Sequence, residues 1–134
     1  MKALSIRQPY ITEILGGLKE VEYRSWQTPY RGDLLLCASV SRADAPKEIA
    51  KHLVFGHAIG IANLYDIKKA GDKDYHWLLK DIRFIDPIPI KGKLHLFDVD
   101  DSLIKPLKEK DIYDVWASKG LVSKEGYQDQ SRSR

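Results

Sequence analysis

The chain has 134 residues, a formal net charge of +3, 43% hydrophobic and 31% charged residues, a balance that fits one globular domain and excludes a disordered polymer. One cysteine, Cys37, rules out an intramolecular disulfide, and four scattered histidines (His52, His57, His76, His95) do not supply the closely spaced ligands of a zinc ribbon. Met1-Lys2-Ala3-Leu4-Ser5 is no apolar leader, and no segment reaches the roughly twenty apolar residues of a membrane span, so a cytoplasmic chain without membrane contact is expected.

In chain order, Ala3 to Ile6 reads as a short strand. Pro9 suits the first turn of a helix, where its missing N–H has no intrahelical partner anyway. Tyr10, Ile11, Ile14, Leu15 and Leu18 recur at spacings of three and four and predict an apolar helix face, ended by Gly16-Gly17. Tyr30-Arg31-Gly32-Asp33 is a turn into a buried strand, Leu34 to Ser39, which also holds Cys37 as an inert thiol. Asp44 and Pro46 start a short helix to about Leu53.

Val54 to Leu64 is a strand bent at Gly56 or Gly60, and Asp66 to Asp74 a polar surface loop. Trp77 to Ile85 forms the next strand, broken by Pro87 and Pro89, which cannot donate to a central ladder. Ile90-Lys91-Gly92-Lys93 is a turn, Leu94 to Val99 a last strand, and Glu109 to Ser118 a last helix with Ile112, Val115 and Trp116 inward. The reading is an α+β, mainly β fold: a small barrel with two or three short helices packed around it. Residues 1–120 form one domain and 121–134 a polar, flexible tail.

Polar chemistry is densest between Gly17 and Gly32. Lys19 and Arg24 flank Glu22, and Arg31 follows an aromatic stretch containing Trp26 and Tyr30. If residues 20–24 are extended, Glu22 and Arg24 share a face because side chains alternate with period two. Such a group binds anions, Arg as a planar fork and Lys as a point charge. A lysine in that setting also serves as base or nucleophile, and Arg24 and Glu22 push it in opposite directions. On spacing alone, a surface ion pair between Lys19 and Glu22 explains the pattern as well.

The segments Ala3-Leu4-Ser5-Ile6-Arg7-Gln8-Pro9-Tyr10, Gly17-Leu18-Lys19, Val21-Glu22, Arg24-Ser25-Trp26, Tyr30-Arg31-Gly32 and Ala38-Ser39 resemble the opening half of ASCH (activating signal cointegrator homology) domains in order and spacing. Ala58-Ile59-Gly60, Trp77 and Ile88-Pro89-Ile90-Lys91-Gly92-Lys93-Leu94 continue the match over about residues 3 to 99.

The resemblance implies a PUA-like barrel with a cleft beside its first helix. It also implies binding of RNA or a nucleoside, with single-stranded DNA as a further candidate. Some members hydrolyse RNA or acetylcytidine, so a hydrolase is one expectation, with Lys19, Glu22 and Arg24 as its catalytic set. In the amidohydrolase branch a Thr stands three residues after the Lys; here that place is held by Glu22, and the branch's distant Glu has no match. Tyr10 replaces a common Trp, and Cys37 a common His.

Arg7, Gln8, Trp26, Tyr30, Arg31 and Ser39 are the implied nucleic-acid contacts, Trp26 and Tyr30 by stacking. The alternatives are a non-catalytic module within a larger RNA-processing or transcription-coactivator complex, and a protein-interaction domain. No cofactor signature is visible, and a divalent ion held on phosphate would leave none.

Overall fold

The computed structural model describes residues 1–108 and 110–125. Six strands and two α-helices follow in order: β1 (Lys2–Ile6), α1 (Tyr10–Leu15), β2 (Val21–Arg24), β3 (Gly32–Ala38), β4 (His57–Gly71), β5 (Asp74–Pro89), β6 (Phe97–Asp98) and α2 (Ile112–Ser118). The strands form one sheet in the order β2-β5-β4-β3-β1-β6. This is the mainly β, α+β class expected. The edge strands β2 and β6 are not hydrogen-bonded to each other among the described residues, so the ladder is open rather than closed.

The sheet is organised around β3. It pairs in parallel with β1, Leu4 opposite Leu36, and antiparallel with β4. Alternate β3 side chains enter two apolar clusters, one on each face. Leu34, Leu36 and Ala38 join Ile11, Ile14 and Trp77; Leu35 and Cys37 join Ala3, Ala58 and Phe97. Burial on both faces is why this segment is an unbroken apolar run. Each fully buried Leu or Ile contributes about 1.5–3 kcal/mol relative to exposure. Burial also pushes the Cys37 thiol up to about 12.

α1 is shorter than its apolar pattern. Ile11, Ile14 and Leu15 are buried; Tyr10 at the helix start is exposed, and so is Leu18, because the helix stops at Leu15. The helix expected from Asp44 to Leu53 is a set of turns with a single 3₁₀ turn at Ala50–His52.

Asp66–Asp74, expected as a loop, is strand. β4 and β5 run as a long antiparallel hairpin whose turn lies at Asp72-Lys73, with Ile67 opposite Trp77 and Lys69 opposite Tyr75. Its outer residues are polar because they are exposed beyond the core, and polarity imitates a loop. β5 also continues through Pro87 and Pro89, with Ile88 opposite Ala58 and Pro89 opposite His57. β2 covers only residues 75–78 of the other β5 edge, so these prolines interrupt no ladder there. The last strand is reduced to Phe97–Asp98.

α2 starts at Ile112, Glu109 lying outside the described residues, and buries Trp116. The expected tail is docked where it begins: Leu121 and Val122 pack on the core and Ser123 N–H donates to the Lys51 carbonyl at 2.7 Å. Its residues 126–134 lie outside the described ones. No helix of the described residues is long and apolar enough to cross a membrane.

Candidate functional site

The local chain path explains how Lys19 reaches its position. Leu18 N–H donates to Glu13 O at 2.9 Å and Gly17 N–H to Ile14 O at 3.1 Å, with Gly17 at φ +80°. These two hydrogen bonds close the helix and need a residue tolerant of the left-handed region, hence glycine. The chain then turns onto β2, whose alternation sends Glu22 and Arg24 to one face, as the period-two argument expects.

Glu22 is nearly buried, its side chain 8% exposed, and it stands between two cations. Lys19 Nζ lies 3.4 Å from Oε1 and Arg24 Nε 3.2 Å from Oε2. The second contact is an ion pair rather than an aligned hydrogen bond. Arg24 also donates through Nη2 to the Ser5 carbonyl at 2.5 Å, which ties β2 to β1. Burial draws the guanidinium below its ordinary range and Glu22 pulls it back; an arginine so placed remains charged at neutral pH. Lys19 Nζ sits over the rings of Tyr10 (4.8 Å) and Tyr23 (5.2 Å).

These residues form one wall of a cleft of about 790 Å³. Ser5 and Arg7 contribute from the end of β1, Ser39-Val40-Ser41 from the end of β3, and Lys91-Gly92-Lys93-Leu94 from the segment after β5. Five bases (Arg7, Lys19, Arg24, Lys91, Lys93) thus face one acid, Glu22. The rim is apolar: Tyr10, Tyr23, Val40 and Leu94 are all exposed large hydrophobic residues. The volume falls in the range of small-ligand sites, roughly 300–1,000 Å³.

The sequence model of the ASCH domain matches residues 4–130. The chain belongs to the ASCH domain family. It is 40% identical to human activating signal cointegrator 1 over 48 residues, 36% of this chain and 8% of that protein. It is 25% identical to mouse activating signal cointegrator 1 over an alignment of 137 positions, covering 79% of this chain and 23% of that protein. The chain therefore spans under a quarter of the length of these curated relatives.

Within this ASCH domain, Lys19, Glu22, Arg24, Arg7 and Ser39 come together at the cleft. Arg7 is 3.6 Å from Asp44, and Ser39 Oγ accepts from Ser41 N–H at 3.1 Å. Four other candidates are elsewhere. Gln8 is fully buried, donating to the Val54 carbonyl at 2.8 Å and accepting from Thr12 N–H at 3.3 Å. Trp26 packs edge-on against Trp77 and His95, and its carbonyl accepts from Trp77 Nε1. Tyr30 donates to the Asp33 carbonyl at 2.6 Å. Arg31 is exposed and donates to the Thr28 and Tyr30 carbonyls, both at 2.8 Å. None of these four lines the cleft.

Tyr23, Val40, Lys91, Lys93 and Leu94 are cleft residues that spacing arguments passed over. The one available signal was Gly92 between two lysines. A Cβ there would fall inside contact distance of Ser5 Oγ and 2.7 Å from Ser5 Cβ, so the segment presses on β1 at a point where only glycine fits. No cluster of three or more His, Cys, Asp or Glu able to hold a metal occurs among the described residues.

Proposed function

We propose that this ASCH domain binds single-stranded RNA, or a nucleoside unit derived from it, in the basic cleft. The observation that carries the reading is the coincidence of five bases with four exposed aromatic or aliphatic side chains around one cavity. Cations meet a polyanion's backbone, and exposed rings accept unstacked bases. Lys19, Arg24 and Arg7 are assigned to anionic or carbonyl oxygens, Glu22 to positioning Lys19, and Ser39 to a polar contact.

The test is a fluorescence-anisotropy titration of a short RNA across salt concentrations. Binding should weaken with a log–log slope of about −0.7 per phosphate contact. Arg7→Ala should make the slope shallower by about one contact, and Arg31→Ala, outside the cleft, should not. Binding that ignores salt, or none at low salt, would transfer the chain to the protein-interaction class.

A second reading is hydrolysis of RNA or a modified nucleoside. It is favoured by the placement of an amine and a buried carboxylate 3.4 Å apart inside the cleft, where a proton can be exchanged beside a bound ligand. The alternative, a non-catalytic module acting within a larger RNA-processing or coactivator assembly, fits the short share of the named cointegrators that the chain covers.

A further inference from the structure

The cations of the cleft are not equally available. Lys19 and Arg24 both face Glu22, and Arg7 faces Asp44. Among the described residues Lys93 has only the ring of Phe97, 5.9 Å from its Nζ. Lys91 has no ionic partner among the described residues. The uncompensated positive charge of the cavity is therefore concentrated on one short segment, 91–93.

That segment is held in place. Ile90 N–H donates to the Gly56 carbonyl at 3.0 Å, and Gly92 is seated against Ser5, so the two lysines flank a fixed point on β1. Leu94 follows at 88% exposure, and Val40 faces the same cavity at 65%. An aliphatic side chain left this open beside cations suits a ligand with an anionic part and a flat apolar part.

We propose that Lys91 and Lys93 are the phosphate-holding side of the cleft, so that the site takes a phosphorylated nucleotide unit in preference to a bare nucleoside. The Lys19–Glu22–Arg24 wall and the apolar rim are left for the base and sugar. The inference rests on the nucleic-acid reading above and narrows it. The shared chemistry is a phosphate oxygen, which a phosphomonoester (a free nucleotide) and a phosphodiester (a strand) both offer.

The experiment is a calorimetric titration with cytidine, cytidine 5′-monophosphate, the dinucleotide CpC and a single-stranded RNA heptamer, on the wild type and on K91A/K93A. Both lysines are exposed, so the variant should fold, which an unchanged Tm checks. The monophosphate or the dinucleotide should bind at least roughly tenfold tighter than cytidine, a gain expected of charge-assisted contacts to phosphate. K91A/K93A should erase that gain and leave cytidine affinity as it was. If only the dinucleotide gains, the natural ligand is a strand; if the monophosphate gains equally, a free nucleotide fits too.

Equal affinity for cytidine and its phosphorylated forms overturns the inference while leaving the nucleic-acid reading intact. So does a phosphate gain that survives in K91A/K93A. If only the heptamer binds, the salt slope decides: a shallower slope in K91A/K93A supports the assignment and an unchanged one removes it. No binding by any of the four ligands would overturn the nucleic-acid reading itself, and this inference with it.

Discussion

Lys19 and Glu22 are joined across the entrance of β2, amine to carboxylate at 3.4 Å, while the other carboxylate oxygen faces Arg24. Removing the anion leaves two cations together, both largely buried. Glu22→Ala should lower stability by about 3 kcal/mol, the low end of the cost of breaking a buried pair because Lys19 and Arg24 retain some solvent. Glu22→Gln, which keeps the shape and some hydrogen bonding, should cost less. Urea denaturation measures both; a Glu22→Ala midpoint equal to wild type would reduce the triad to a surface ion pair.

Lys19 separates catalysis from binding. If it acts as base or nucleophile, Lys19→Ala should reduce turnover of RNA or acetylated cytidine by roughly 100- to 10,000-fold while affinity falls only modestly. Lys19→Arg keeps the charge but cannot give up its proton near neutral pH. An enzyme should lose activity with that change and a binder should tolerate it. Wild-type protein without turnover, assayed with and without divalent metal, leaves binding as the function.

Cys37 sets an alkaline limit. Its thiol is raised to about 12 by burial, against about 8.5 for an unfolded cysteine. A group raised in this way lends its stability in full below the unfolded value and loses it as pH climbs toward the folded one. Wild-type stability should therefore fall between about pH 9 and 12, at most about 1.4 kcal/mol per pH unit from this residue. The Cys37→Ala variant should lack that component in pH-resolved denaturation. The native thiol should also resist iodoacetamide at pH 8 until urea unfolds the chain; prompt alkylation would contradict its burial.

Leu121, Val122 and Ser123 contact the rest of the fold. Ending the chain after Gly120 removes Leu121 and the buried Val122, and takes away the Ser123 carbonyl that accepts from Tyr113 and lies 2.8 Å from His52 Nδ1. The loss should be about 2–4 kcal/mol from one buried aliphatic side chain and the hydrogen bonds of the Ser123 backbone. A thermal melt of the truncated chain checks it, and an unchanged Tm would place the boundary at residue 120.

Local patterns reveal much of this molecule where neighbours in sequence are also neighbours in the site. Glu22 and Arg24 lie on one strand, so strand parity was enough to group them; Lys19, in the turn before β2, lies outside that parity and joins them through its contact with Glu22. β1, β3 and the start of α1 were legible because burial dictates their apolar patterns. The outer half of the β4–β5 hairpin was not, since a strand with both faces exposed loses its alternation. Nor did periodicity show that Trp26 and Tyr30 turn inward, because an aromatic residue serves a core as well as it serves a base. Lys91 and Lys93 reach the cleft only through tertiary contact with Ser5, about 85 residues away in the chain, a distance no local pattern spans.

The placement of β1 also bears on assembly. Lys2–Ile6 lies between β3 and β6, so its two edges are completed by segments roughly 30 and 95 residues downstream. By contrast, β4 and β5 meet across a tight turn and can zip up early. Sequence separation alone therefore favours the hairpin as the earlier contact and β1, which carries Ser5 and Arg7 to the cleft, as the later one. A cleft walled by segments so distant in sequence needs these long-range pairings in place, so ligand capture would report completion of the native state more faithfully than gain of secondary structure.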